Sequence, residues 1–372
     1  MRALKVAWDN SIAGRDKAGT GVYATQLLQQ YATRNDLHVT VLSGWSNSHT
    51  GSKPLKRGLG TLQDLLWMHA YLPAALWRKK VDVLHAPAFL APLAAPCPVV
   101  VTVHDVSYLL FPSYFSRWWV QYLNLVMPRI LASAAAIIAV SEHSKCDIIK
   151  FYGVSPEKIR VIPHGVDHER FRPGAVLDAG WARSLGIENG YVLHVGTLTR
   201  RKNIPTLIRA IAELRDRGEW GNRQLVLAGA ENRAIQGTQE VLKTITALGL
   251  GSSVLLTGRI PDKYMPGLYA AATLVVMPSV YEGFGFPVLE AMACGTPVVC
   301  SDSSSLPEVG GNAGIYFPCQ DHHGMASAIA GVLGSEVKAQ EMRRKGLERA
   351  IHFSWQRAAN ESIAVYREVT GL

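Results

Sequence analysis

The stretch MPSVYEGFGFPVLEAMACGTP, residues 277–297, decides how the rest of the chain is read. It begins on the end of an apolar run, Thr273 to Met277, which reads as a buried strand. A turn with Gly283 and Gly285 follows. Next comes an amphipathic helix, Val288 to Ala293, stopped at Gly295. Two carboxylates, Glu282 and Glu290, stand eight residues apart, one in the turn and one about a turn into the helix. Open parallel sheets take their ligands at such a place, beyond the carboxyl ends of strands and against helix N-termini.

Working outward, strands are predicted at Tyr191–Val195, Gln224–Ala228, Val254–Thr257, Val298–Cys300 and Ile315–Phe317. Helices are predicted at Pro205–Leu214, Gly237–Leu248, Asp262–Ala271, Gly324–Leu333, Lys338–Ile351 and Trp355–Val369. This alternation describes a doubly wound parallel sheet, α/β in class. The first half repeats the architecture without repeating the sequence. Its apolar runs are Leu4–Asp9, Val39–Ser43, Val81–His85, Pro98–His104, Ala135–Val140 and Ile159–Pro163. His168 to Gly190 reads as a connecting segment. With 372 residues, two domains are expected, 1–168 and 169–354.

Several first-half features carry two readings each. Gly14 and Gly19-Thr20-Gly21 fall in a loop before a helical pattern, Val22–Tyr31; the loop is either an anion cradle or a plain tight turn. His85 and His104 each end a strand, at the edge where such sheets bind ligands; a lone strand-end histidine is otherwise structural. Ser141 with Ser144 is a helix cap, with or without a cleft behind it. Asn47–Gly60 reads as a polar loop with Lys53, Lys56 and Arg57. Leu62–Trp77 reads as an apolar helix interrupted at Pro73. The aromatic run Tyr108–Tyr122 suits a greasy acceptor, a membrane interface or the core.

Composition narrows the function. The chain is 48% hydrophobic and 18% charged, with a formal charge of +9. That balance favours anionic partners: nucleotide phosphates, a diphosphate-linked lipid or an anionic membrane surface. No helix-turn-helix, zinc-finger or RNP pattern appears, so no nucleic-acid partner is expected. No run of about 18 apolar residues occurs, and no signal peptide is read at the start. The five scattered cysteines fit reduced thiols and a cytoplasmic location.

The chemistry gathers in the second half. Arg200, Arg201 and Lys202 sit between a strand and a helix N-terminus, on the sheet edge that also carries Glu282 and Glu290. Cations and helix dipole together suit a diphosphate and would stabilise charge on a phosphate leaving group. A carboxylate suits vicinal sugar hydroxyls, since it accepts two hydrogen bonds. The spacing of the two acids fits two contacts along one nucleotide sugar better than a glycosidase pair flanking one bond. No D-x-D occurs, so no metal is expected on the diphosphate.

These residues resemble retaining glycosyltransferases of family 4, which have the GT-B fold. The core is Glu282-Gly-Phe-Gly-Phe-Pro-Val-Leu-Glu290, the family's E-x7-E motif. Around it stand GTGVY (19–23), TVHD (102–105), VSEHSK (140–145), PHGVD (163–167), VGTLTRRKN (195–203), LTGRIPD (256–262) and SSLPEV (304–309). The resemblance implies two Rossmann-like domains facing across a cleft, with the helix 355–372 crossing back onto the first. Carried over residue by residue, it implies that Glu290 binds the donor ribose and that Arg201 and Lys202 hold the diphosphate. Glu282 and the backbone of Phe284, Gly285 and Phe286 would hold the donor sugar and its phosphate. Arg259 and Ile260 would border the base, His104 would approach the donor sugar, and Gly19 to Gly21 would let the N-terminal loop near the diphosphate. Some members have an Arg directly after the Gly ending the first strand of the second domain; here Thr197 follows Gly196.

The implied reaction is retaining hexosyl transfer by same-face attack, with no cofactor and no metal. The motif set looks most like a bacterial mannosyltransferase-like branch, with GDP-mannose as donor. A UDP-sugar donor (UDP-Glc or UDP-GlcNAc), or an inactive nucleotide-binding protein, are the alternatives. The implied acceptor is a glycan or a polyprenyl-diphosphate-linked oligosaccharide, with peripheral contact to an anionic membrane on the cytoplasmic face.

Overall fold

The computed structural model describes residues 2–11, 13, 19–44, 63–188, 190–230 and 237–372. Gly14 and the segment Asn47–Gly60 lie outside them. Two compact units emerge, one of residues 1–165 and 355–372, the other Val166–Ser354. The boundary falls after Gly165 rather than after residue 168. Val166 and His168 are tied to the end of the second unit: Val166 donates its N–H to Phe353 O, and the His168 ring lies 3.1 Å from the same carbonyl.

The first unit is built on β1 (Leu4–Asp9), β2 (Leu37–Leu42), β3 (Val83–Ala86), β4 (Val99–Val103), β5 (Ala136–Ala139) and β6 (Ile159–Val161). They form one parallel sheet in the order β2-β1-β3-β4-β5-β6. Strands β3, β4 and β5 are buried at every position, as continuous Val/Ile/Ala runs with helices on both faces must be. The helices are α1 (Gly19–Ala32), α2 (Leu72–Lys79), α3 (Arg117–Ser133), α4 (Glu142–Tyr152) and, from the far end of the chain, α11 (Trp355–Thr370).

Three readings change here. Gly19-Thr20-Gly21 is the first turn of α1, not a loop ahead of it, and Gly21 is buried. The interruption near Pro73 is a π-turn, Trp67–Tyr71, in which Leu72 N–H reaches back to Trp67 O. Proline lacks an N–H to continue the α-ladder, so the turn just before it widens. His85 lies inside β3, fully buried, not at a cleft edge. Its Nε2 is 2.8 Å from Thr102 Oγ1 and its Nδ1 2.5 Å from Tyr366 Oη, on α11. Tyr31 on α1 meets the same Tyr366 hydroxyl at 2.8 Å, so a line of satisfied polar groups pins α11 to the sheet. Burial holds His85 neutral, its pKa lowered to about 3. The aromatic run divides: Tyr108 is buried in the core, whereas Trp118 on α3 is 83% exposed.

The second unit carries β7 (Val192–Val195), β8 (Leu225–Ala228), β9 (Val254–Gly258), β10 (Leu274–Met277), β11 (Val298–Ser301) and β12 (Gly314–Phe317). Their order is β12-β11-β10-β7-β8-β9, all parallel. Its helices are α5 (Ile204–Asp216), α6 (Gly237–Ala247), α7 (Met265–Ala271), α8 (Phe286–Ala293), α9 (His322–Leu333) and α10 (Glu336–Ala350). A short helix, Ala179–Ser184, also forms in the segment read as a connection. β10 and β7 are central neighbours. The strand order therefore brings the loops after β7 and β10, which carry the cations and Glu282, side by side. Among the described residues, no helix is long and apolar enough to cross a membrane.

Candidate functional site

Each side chain of the site is placed by a local device. After β7, Arg200–Lys202 forms a 3₁₀ turn, and Asn203 takes a left-handed conformation (φ +52°) ahead of α5. The Asn203 amide donates to Pro278 O at 3.2 Å and to Cys319 O at 2.5 Å, tying this turn to the end of β10. Val280 N–H donates to Arg201 O at 2.9 Å, and so the two loops share backbone as well as side-chain bonds. A Cβ on Gly196 would stand 3.0 Å from Lys202 Cε; the missing side chain is the space through which the lysine stem passes.

The lysine ends on Glu282. Lys202 Nζ donates to Glu282 Oε1 at 2.5 Å, and Arg201 donates to Oε2 at 3.0 Å and to Tyr281 O at 2.8 Å. Glu282 is 7% exposed and Lys202 8%. Burial by itself raises the carboxyl's pKa, but the charges of Lys202 and Arg201 outweigh it and hold Glu282 at about 2. Behind them, His194 on β7 is fully buried, its Nδ1 3.0 Å from Val276 O. Burial, with the nearby Lys202 charge, lowers its pKa to about 4. The cations thus sit in front of a neutral imidazole.

The backbone of Glu282 is held as firmly as its side chain. Its N–H donates to Ser304 Oγ at 2.8 Å, and Ser304 itself is left-handed (φ +54°). The buried Ser305 hydroxyl lies 2.9 Å from Glu282 O and 2.7 Å from Phe284 O. Gly285 has φ +116°, and a Cβ there would meet Leu306 Cδ2 at 2.9 Å. Only glycine satisfies both the dihedral and the contact. From Gly285 the chain enters α8, which begins at Phe286, two residues earlier than the periodicity indicates, with Pro287 in its first turn.

Glu290 is not part of the ionic cluster. It lies one turn into α8 and its surroundings are Tyr269, Arg170 and Asp262. Burial pushes its carboxyl up to about 7, while the Tyr269 hydroxyl and the Arg170 charge pull it down. The two acids of the motif therefore differ in state: one is ionised at any ordinary pH, the other titrates near neutrality. Of the remaining predicted donor residues, Thr197 and Arg259 are exposed, Phe284 is 5% exposed and Ile260 5%. Gly19, Gly21 and His104 belong to the first unit. There His104 is half-buried, its Nε2 2.8 Å from Pro87 O, and its own carbonyl accepts from Ser144 Oγ at 3.1 Å. Ser141 caps α4 through Ser144 N–H at 3.0 Å.

Sequence reasoning passed over Asn203, Ser304, Ser305 and His194. The first three lie inside the motifs VGTLTRRKN and SSLPEV, which marks them as candidates. Their roles are to bond backbone, and a polar residue's backbone partner leaves no trace in spacing.

Two family models match the chain: Glycosyltransferase Family 4 over residues 18–170, and Glycosyl transferases group 1 over residues 182–349. The chain is 32% identical over 297 residues to O-antigen chain mannosyltransferase B of Escherichia coli, spanning 79% of this chain and 76% of that enzyme. It is 30% identical over 265 residues to the MMP alpha-(1->4)-mannosyltransferase of Mycolicibacterium hassiacum, 68% of this chain and 60% of that one. Among solved structures, sucrose-phosphate synthase from Thermosynechococcus elongatus superposes with a TM-score of 0.79 at 24% identity, covering 99% of each chain. That likeness establishes the fold, GT-B.

Proposed function

The chain belongs to glycosyltransferase family 4, and from that premise we propose that it is a retaining, metal-independent mannosyltransferase using GDP-mannose. The observation that carries the reading is the pair Lys202 and Arg201, fixed on the buried Glu282 at the N-terminal end of α5. Two cations and one carboxylate leave a net positive site. A diphosphate supplies the missing negative charge, and the helix N-terminus adds its dipole. Glu282 keeps the cations in place before the donor arrives, so little reorganisation is needed at the transition state.

In this reading the bond between sugar C1 and the diphosphate oxygen breaks, and the acceptor oxygen bonds C1 on the same face. The acceptor proton passes to the departing phosphate. Lys202 and Arg201 stabilise the charge that builds on the diphosphate. Glu282 is an unsuitable nucleophile, because both of its oxygens are engaged by cations. Glu290 receives the ribose hydroxyls, and the backbone at Phe284, Gly285 and Phe286 faces the phosphate and sugar. Arg259 and Ile260 border the base, and Thr197 takes the place where some relatives have arginine. The two relatives named as mannosyltransferases support mannose as the transferred sugar. The exposed Trp118 on α3 and the basic charge support a lipid-linked glycan acceptor presented at an anionic membrane.

The test is a thermal-shift screen of GDP, UDP and ADP with their sugar conjugates, followed by NMR of the product anomer, all in EDTA. Ligand binding stabilises by mass action. GDP and GDP-mannose are expected to raise the melting temperature most, and the product is expected to keep the α configuration. A larger shift with UDP-sugars refutes the donor assignment. An inverted product refutes the mechanism.

A further inference from the structure

Away from the donor site, the second unit brings together three side chains of a kind that ligate metals: Glu213, His322 and His323. Glu213 lies on α5, nine residues beyond Ile204, about 14 Å of helix rise from the Arg201-Lys202 end. His322 and His323 open α9. The preceding acid, Asp321, is occupied as the cap of α9, accepting from Gly324 N–H at 2.9 Å.

The donor atoms of the three residues lie within 4.8 Å of one another. His323 Nδ1 is 2.7 Å and His322 Nε2 4.0 Å from the same atom, Glu213 Oε2. The two imidazole rings are 4.0 Å apart. Glu213 Oε2 is shielded from solvent, and His323 Nδ1 is its near neighbour at 2.7 Å. Both imidazole nitrogens approach the same carboxylate oxygen, an arrangement in which three ligands can share one cation. The other oxygen, Oε1, is taken by Arg217, which leaves Oε2 to the two imidazoles. Bonds of about 2.0–2.2 Å to a tetrahedral ion place its ligand atoms about 3.4 Å apart; the observed 2.7 and 4.0 Å bracket that separation.

We propose that Glu213, His322 and His323 form a binding site for a divalent transition cation of the Zn²⁺ class, held by Glu213 Oε2, His322 Nε2 and His323 Nδ1 with water on the open side. Two imidazoles and one carboxylate select Zn²⁺, Ni²⁺ or Cu²⁺ over Mg²⁺ and Ca²⁺, which prefer all-oxygen shells. The ion would clamp α9 to α5. Because Arg217 and the N-terminus of α9 place positive charge nearby, binding is of moderate strength. His323, whose side chain is 70% exposed, gives the ion its way in.

The test is calorimetric titration of the EDTA-stripped, full-length chain with Zn²⁺ at pH 7.5, with Mg²⁺ as control, alongside His322→Ala, His323→Ala and Glu213→Gln. Saturable one-site Zn²⁺ binding that raises the melting temperature is expected. Each substitution is expected to weaken binding at least about tenfold, with circular dichroism unchanged. Absence of Zn²⁺ binding by the unaltered chain overturns the proposal, as does an unchanged affinity in the double variant His322→Ala/His323→Ala.

Discussion

Replacing Lys202 with methionine tests the centre of the site. Methionine keeps most of the lysine stem's packing against Gly196 and removes the charge. In the native chain Lys202 and Arg201 overcome the burial of Glu282 and lower its pKa from 4.5 to about 2. At roughly 1.4 kcal/mol for each pKa unit, that is about 3 kcal/mol favouring the folded, ionised site. Removing one partner of a buried pair costs roughly 3–5 kcal/mol. Arg201 remains 3.0 Å from Oε2, so the expected loss at pH 7 lies at the low end, about 3 kcal/mol. The pH dependence has a definite sign. A carboxyl whose pKa is depressed on folding contributes stability that is present above about 4.5 and lost as the pH falls toward 2. The deficit of Lys202→Met should therefore be full at pH 7 and shrink through pH 4 to 3. Hydrogen exchange of the β7 and β10 amides reads the stability of this unit without averaging over the other. The double variant Lys202→Met/Glu282→Gln should recover part of the loss, because the uncompensated charge is gone. The variant should also lose affinity for nucleoside diphosphate while keeping that for the nucleoside. Native-like protection at pH 7, or additive losses in the double variant, would refute the view that this ion pair organises the site.

Three further outcomes follow from the same geometry. Glu290, with its pKa raised to about 7 by burial, contributes stability that is present below about 4.5 and lost as the pH rises through 7; Glu290→Gln should thus be more stable than the native chain at pH 8 and no more stable at pH 4, as chemical denaturation will show. If its carboxylate holds the ribose, nucleotide affinity should improve between pH 6 and 8 in the native chain and stay flat in Glu290→Gln. Gly285→Ala should cost on the order of 1–3 kcal/mol and abolish transfer, since φ +116° and the 2.9 Å approach to Leu306 both exclude a side chain; an alanine variant of native melting temperature and turnover would remove the turn from the mechanism.

Much of this was legible in the chain itself. Continuous Val/Ile runs such as Val99–Val103 announce strands buried on both faces, and their alternation with helical periods announces two parallel sheets. Glycine at 285 and 295 marks the turn and the helix stop through backbone freedom alone. Residue type at a strand-to-helix edge singles out Glu282, Lys202 and Arg201, and the structure brings the three together.

What the sequence left open is whatever depends on distant residues meeting. It read His85 and His104 as equivalent strand ends; the structure buries His85 against Thr102 and Tyr366, from a helix 281 residues away, and leaves His104 half-buried. It read Glu282 and Glu290 as two grips along one nucleotide sugar, with no difference in ionisation between them. The fold separates them, because β7 lies beside β10 and sets two cations on Glu282, while Glu290 goes one turn down a helix to Tyr269, Arg170 and Asp262. Periodicity and spacing are properties of a single segment and survive in one dimension. Ionisation, burial and the bonds made by Ser304 and Ser305 come from neighbours that only the strand order brings together.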